Sequence, residues 1–289
     1  MKVRLAGEIG ATWRRELAAA LPEAEWSDDD CDAEVAVVAN PPPGALAAMP
    51  RLRFVQSLWA GVDRLLADPT LPPGVPVARM VDPVMSLAMA ESALWAVLAL
   101  HRGFFDYQRR QREGVWRQHA QRRADEVNVL ILGQGEMGRA VAARLAPLGY
   151  RVEGWHRGVD LAPLLAGAEI VINLLPLTPA TRGLLDARCF AGLPRGAALV
   201  NFGRGAHVVD ADLLAALDSG RLRHAVLDVY ATEPLPAGHP FWAHPRVTVL
   251  PHAAALTDAR SASAVAAANL RAWRDGRTPA HGVDRHRGY

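Results

Sequence analysis

The sequence predicts an α/β protein whose main body is a doubly wound parallel sheet, preceded by a smaller α/β region. Three observations carry this. Short, almost wholly apolar runs recur at 127–132, 169–175 and 197–202, as strands covered by helices on both faces require. Helical stretches such as 139–148 and 211–217 separate most of these runs, the order that builds parallel sheets. One run, 127–132, ends directly in a glycine-rich turn that opens a helix, the place where such sheets hold ligands.

Element by element, residues 2–6, 34–39 and 53–58 read as buried strands and 13–21 as a helix, with proline-rich loops at 41–44 and 72–74. One long helical stretch comes next over 86–111, able to bridge two lobes. The main sheet then takes strands at 127–132, 151–155, 169–175, 197–202, 222–229 and 246–250. A helix over 259–275 and an arginine-rich tail close the chain.

The bulk properties exclude several classes. The 289 residues are 51% hydrophobic and 21% charged, ordinary for a globular protein, and the net charge of +2 gives no reason to expect a nucleic-acid partner. Lys2 is the only lysine among 32 basic residues, so a lone arginine says little here and must be judged by position. Cys31 and Cys189 form neither metal-ligand spacing nor a disulfide framework, and no metal is expected. The first residues lack the apolar core of a signal peptide. The apolar stretch 87–100, interrupted by Glu91, reads as too short to span a bilayer. No membrane partner and a cytoplasmic location are expected.

Gly133, Gly135 and Gly138, with Glu136 and Met137 between them, match G-x-G-x-x-G between a strand and a helix. The first glycine permits the tight turn, the second lets a pyrophosphate approach the backbone, and the third lets helix and strand pack closely. That context marks a Rossmann-type dinucleotide site. A plain glycine turn is the simpler alternative. At the end of the second strand, Trp155, His156 and Arg157 stand where an acidic residue would bind a ribose 2′-hydroxyl. The missing carboxylate, and a guanidinium suited to a 2′-phosphate, favour NADP, with NAD as the alternative.

The segments after the later strands converge on one sheet edge. Leu175 and Pro176 stand at the end of 169–175, Arg204 comes after 197–202, Asp228 and Glu233 after the 222–229 run begins to turn, and His252 after 246–250. A histidine supplies a proton near neutral pH, a neighbouring carboxylate favours its charged form, and an arginine holds a substrate carboxylate and polarises a carbonyl. The set suits reduction of a 2-oxoacid. Each residue also has a bland reading: a loop histidine, a turn arginine, a solvated acid, a capping aspartate.

Asn201-Phe202-Gly203-Arg204-Gly205, Leu227-Asp228-Val229-Tyr230 with Glu233-Pro234-Leu235, Pro251-His252 and Leu174–Thr181 together resemble the ordered signatures of the D-isomer specific 2-hydroxyacid dehydrogenase family. The tail from Val283 to Tyr289 is similar to that of its glyoxylate/hydroxypyruvate reductase subgroup. The resemblance implies a flavodoxin-like substrate domain, 1–90 completed by 257–289, and a dinucleotide-binding domain, 91–256. It implies that Arg204 binds the substrate carboxylate and carbonyl, that His252 donates the proton with Glu233 as its partner, and that Asp228 lies by the nicotinamide carboxamide. Residues 57–63 are similar to the family's substrate loop, in which the Ala60 and Gly61 amides would grip the carboxylate and Trp59 would touch substrate. Gly203 stands where many relatives carry alanine, with little effect expected. The resemblance further implies a homodimer. Two other readings remain: a dinucleotide-sensing corepressor or binding protein on the same fold, and a dehydrogenase for a bulkier 2-oxoacid.

Overall fold

The computed structural model describes residues 1–289 and divides them into two compact units, Met1–Met85 with Thr257–Tyr289, and Ser86–Leu256. The first division falls within a helix, Pro83–His101, whose sequence runs through residues 85 to 90 without a break in composition.

The first unit contains β1 (Lys2–Gly7), α1 (Ala11–Ala20), β2 (Glu25–Ser27), β3 (Val35–Ala39), β4 (Phe54–Ser57), α2 (Asp63–Leu66) and β5 (Val77–Ala78). Its five strands are all parallel, in the order β2-β1-β3-β4-β5, the flavodoxin-like arrangement. β2 and β5 are too short to show in the apolar pattern. The chain's end completes this unit. The C-terminal helix Ala259–Arg274 is capped by Asp258, whose carboxylate accepts the Ser261 N–H at 2.8 Å. Buried Asn269 on that helix donates to Gln56 of β4 at 2.8 Å and accepts from Ala280 N at 2.9 Å. Both amides are thereby satisfied inside an apolar layer, as burial demands.

The second unit begins within α3 (Pro83–His101), followed by α4 (Phe104–Arg112). The long helix expected over 86–111 is therefore two. Gly103 takes φ +69°, and a Cβ there would meet the His119 ring at 2.4 Å, so the chain turns where only glycine fits. α3 is long and apolar enough to cross a membrane by length and composition alone, which corrects the expectation that this stretch is too short. Its buried face, Met89, Ala93, Val97 and Leu100, joins the core formed by Val129, Ile131 and Val141.

The remaining elements are β6 (Asn128–Leu132), α5 (Glu136–Leu145), β7 (Arg151–Trp155), α6 (Ala162–Gly167), β8 (Ile170–Asn173), α7 (Ala187–Gly192), β9 (Ala197–Asn201), α8 (Asp210–Asp218), β10 (Leu222–Leu227) and β11 (Val247–Val249). The six strands are all parallel, in the order β11-β10-β9-β8-β6-β7. β8 and β9 are buried at every position, with one apolar cluster on each face of the sheet. Successive connections run to opposite sides of β6, so a crevice opens at the carboxyl ends of β6 and β8.

Candidate active site

The glycine turn comes directly after β6, and its three glycines do separate jobs. Gly133 has φ +106° and donates to Trp155 O at 3.0 Å, tying the turn to the tip of β7. A Cβ on Gly138 would sit 1.9 Å from Gly133 O, so the helix packs against the turn only with hydrogen there. A Cβ on Gly135 would meet nothing within 4 Å. That open face lies at the start of α5, where no side chain caps the helix and first-turn N–H groups are available to an anion. The cradle fits a dinucleotide pyrophosphate. Glu136, the one acid of the first turn, is paired with Arg139.

His156 and Arg157 come after β7 and are exposed beside this turn. The indole N–H of Trp155 closes the bend by donating to Val159 O at 2.8 Å. The nearest acid downstream, Asp160, accepts from Ala162 N at 3.1 Å, at the start of α6. No carboxylate stands at the β7 tip itself.

The other half of the edge carries the reactive side chains. β9, β10 and β11 are neighbours in register: Leu227 pairs with both Asn201 and Val249. The pairing continues past the strands, with Asp228 N donating to Asn201 O at 3.1 Å and His252 N to Asp228 O at 2.9 Å. The loops bearing Arg204, Asp228, Glu233 and His252 therefore leave adjacent tips. Gly205 fits them together, since a Cβ there would lie 1.8 Å from the Tyr230 carbonyl carbon.

His252 Nδ1 lies 2.7 Å from Glu233 Oε2, while Glu233 Oε1 accepts the Tyr230 N–H at 2.9 Å. The carboxylate, held from behind, fixes the Nδ1–H tautomer and leaves Nε2 as the second functional atom of a ring that is 52% exposed. His252 adopts φ +54°, a strain of about 1–3 kcal/mol. Asp228 braces the loop from behind. Its carboxylate accepts from Ala253 N at 2.7 Å and Ala254 N at 3.0 Å, the two amides that come directly after His252. Burial raises the Asp228 carboxyl above the usual aspartate range, against the lowering effect of those two amides. The resemblance implied a place beside the nicotinamide. In the structure this buried carboxylate accepts one amide of the His252 loop at each oxygen, which leaves a further lone pair on each.

Arg204 is half-buried, with Nη1 donating to Gly203 O at 2.9 Å. Beneath it lies a polar network that the sequence did not announce: Asn173, Asn201 and His207, all fully buried. Gly203 touches this network. A Cβ there would come within 2.9 Å of Asn173 Nδ2 and 3.0 Å of Leu175 O, so an alanine in this chain fits only where the Asn173 side chain and the Leu175 carbonyl give way slightly. Leu175 and Pro176, expected at the cofactor, stand just past β8 on the next tip.

Trp59, Ala60 and Gly61 belong to the first unit, in the loop after β4. Ser57 shapes that loop, its hydroxyl accepting from Trp59 N and donating to Trp59 O, both at 3.1 Å. Trp59 packs edge-on against Trp13 at 5.9 Å, with its indole N–H buried and unpartnered.

Fold and site define a class: a dinucleotide-dependent oxidoreductase with an imidazole–carboxylate pair at its sheet edge. Residues 94–254 match the D-isomer specific 2-hydroxyacid dehydrogenase NAD binding domain. The chain belongs to the D-isomer specific 2-hydroxyacid dehydrogenase family. It is 43% identical to glyoxylate/hydroxypyruvate reductase A of Serratia proteamaculans, over 96% of either chain, and 40% identical to that of Yersinia enterocolitica with the same coverage. Among solved structures it is similar to a D-isomer specific 2-hydroxyacid dehydrogenase from Xanthobacter autotrophicus in complex with NADPH and MES, with a TM-score of 0.95 at 40% identity, covering 100% of this chain and 99% of that one. It is also similar to the NADPH-dependent glyoxylate/hydroxypyruvate reductase of Sinorhizobium meliloti in complex with NADP and sulfate, with a TM-score of 0.93 at 33% identity and the same coverage.

Proposed function

We propose that this chain reduces a small 2-oxoacid, glyoxylate or hydroxypyruvate, to the 2-hydroxyacid, with NADPH as the cofactor. The observation that carries this reading is the His252–Glu233 pair at 2.7 Å on a loop neighbouring that of Arg204. The relatives named for these activities, and the solved neighbours holding NADP or NADPH, support it.

NADPH, when bound, supplies the hydride. Gly133, Gly135, Gly138 and the first-turn amides of Glu136 and Met137 hold its pyrophosphate, and His156 and Arg157 take the 2′-phosphate. Leu175 and Pro176 line the nicotinamide side. Arg204 binds the substrate carboxylate and polarises the reacting carbonyl. His252 Nε2 gives its proton to the carbonyl oxygen as charge develops there, while Glu233 stabilises the charged ring. Trp59, Ala60 and Gly61 contribute the substrate loop. We place the enzyme in the cytoplasm as a homodimer. Leu87, Trp95 and Phe104, together with Trp116 at 97% exposure, leave apolar side chains open on α3, α4 and the segment after them, where a second copy would cover them.

The test monitors NADPH oxidation with glyoxylate, hydroxypyruvate and phenylpyruvate in parallel. Turnover is expected with the first two and weakly with the third. Tight NADPH binding without turnover of any oxoacid would favour the sensor reading, and phenylpyruvate as the best substrate would favour a dehydrogenase for bulkier acids.

A further inference from the structure

His207 is fully buried, three residues beyond Arg204, and both ring nitrogens are engaged. Nδ1 faces two donors, Asn173 Nδ2 at 2.9 Å and Arg204 N at 3.2 Å. It must therefore accept, and the ring hydrogen belongs on Nε2, 3.3 Å from Pro176 O. A neutral imidazole with one fixed tautomer thus joins the backbone of Arg204 to the carbonyl of Pro176, on the tip of a different strand. Neighbouring groups hold both ends. Asn173 Oδ1 accepts from Leu175 N at 3.2 Å, Asn201 Nδ2 donates to Arg204 O at 3.1 Å, and Asn173 Nδ2 donates to Asn201 Oδ1 at 2.8 Å. The missing side chain of Gly203 leaves the room, since a Cβ there would sit 3.2 Å from His207 Nδ1. An apolar side chain would fill this position without desolvating two nitrogens. The imidazole adds a rigid link between two loops.

We propose that His207 is a positioning residue that couples the two halves of the site: a shift of the Leu175–Pro176 loop on cofactor binding is passed through the ring to the backbone of Arg204, so that the bound cofactor sharpens the grip on the substrate carboxylate. This rests on the roles proposed above for Arg204 and Pro176. The ring cannot be protonated without breaking the link, because Nδ1 would then present a third hydrogen to two donors.

The test measures oxamate affinity by calorimetry with and without saturating NADPH. In the wild-type chain the cofactor is expected to tighten oxamate binding about tenfold. His207→Asn keeps an acceptor toward Arg204 N and loses the donor to Pro176 O, whereas His207→Gln keeps the donor and loses the acceptor. Each breaks one half of the link, and each is expected to cut the tightening to about twofold while leaving NADPH affinity nearly unchanged; the buried group left unpaired lowers Tm by a few degrees without unfolding the chain. In turnover the oxoacid KM should rise more than kcat falls. Independently of any variant's folding, nitrogen NMR of wild-type histidines should show one ring in the Nε2–H form whose signals move on NADPH binding. Full tightening in both variants, no tightening in the wild type, or an NMR signal indifferent to NADPH would each overturn the proposal. Arg204→Ala in the same assay separates the two levels. If it leaves oxamate affinity intact, the assignment of Arg204 fails. If it abolishes binding while the His207 variants keep full tightening, only the coupling fails.

Discussion

The two halves of the sheet edge in the second unit are built from different materials. At β6 and β7 the site is backbone: a turn with φ +106° at Gly133, an uncapped helix start, and open space over Gly135. At β9, β10 and β11 it is side chains, Arg204, Glu233 and His252, each held in place by another group. The turn of the first half suits the pyrophosphate that every dinucleotide shares, and only the β7 tip offers side chains, His156 and Arg157, that could tell one dinucleotide from another. The second carries the imidazole and the guanidinium proposed to act on the substrate, and a buried polar layer of Asn173, Asn201 and His207 lies against the Arg204 loop. Damage should accordingly show as lost cofactor affinity in one half and lost turnover in the other.

The largest effect is expected for His252→Ala. Turnover should fall about 10³-fold with NADPH affinity unchanged, measured by steady-state kinetics and fluorescence titration. An equal loss of NADPH affinity would mean the halves are not separable. Next come the two glycines that look alike in sequence. Gly135→Ala meets nothing in the chain itself, so it should fold normally and weaken NADPH binding by about tenfold or more. Gly138→Ala, 1.9 Å from a carbonyl oxygen, should lower stability by about 1–3 kcal/mol, read as a fall in Tm. The same phenotype in both variants would erase the distinction drawn between them. Arg157→Ala should cost NADPH about tenfold in affinity and leave NADH unaffected. Equal losses would remove the case for a 2′-phosphate contact.

The smallest effect concerns pH. Burial raises the Asp228 carboxyl above its ordinary value of 3.8, so the folded chain binds that proton more tightly than the unfolded one. As pH falls from above the raised value toward 3.8, this group adds stability, and the gain is lost again as pH rises. Over the same window the protonated carboxyl accepts less well from Ala253 and Ala254, so the His252 loop loosens. Relative to Asp228→Asn, the wild type should gain Tm and lose kcat as pH falls through this window. Both quantities moving in the same direction would contradict the assigned role.

Legibility in the sequence divides along the same line. Gly133, Gly135 and Gly138 could be read because a backbone site leaves its mark in glycine spacing, and Arg204, Asp228, Glu233 and His252 because strand ends point them to one edge. Periodicity also found most strands, but it missed β2 and β5, of three and two residues, and it ran α3 and α4 together, since the break depends on the positive φ of Gly103 and on His119 packed against it. Asn173, Asn201 and His207 stayed hidden because a buried polar residue looks like any other until its partners, up to 34 residues away, are known. The bonds that Asp228 makes stayed hidden for the same reason. Its partners, 25 and 26 residues on, are backbone amides that no residue type announces.

The amides that hold the turn after β11 belong to Ala253 and Ala254, and neither bond involves the side chain at 252. The socket is therefore independent of its plug. Removing the imidazole leaves a prepared perch, oriented toward the same space and already accommodating a left-handed backbone. A residue tolerant of that conformation, asparagine before any other, could be seated there to trade proton transfer for simple polarisation without rebuilding the scaffold around it.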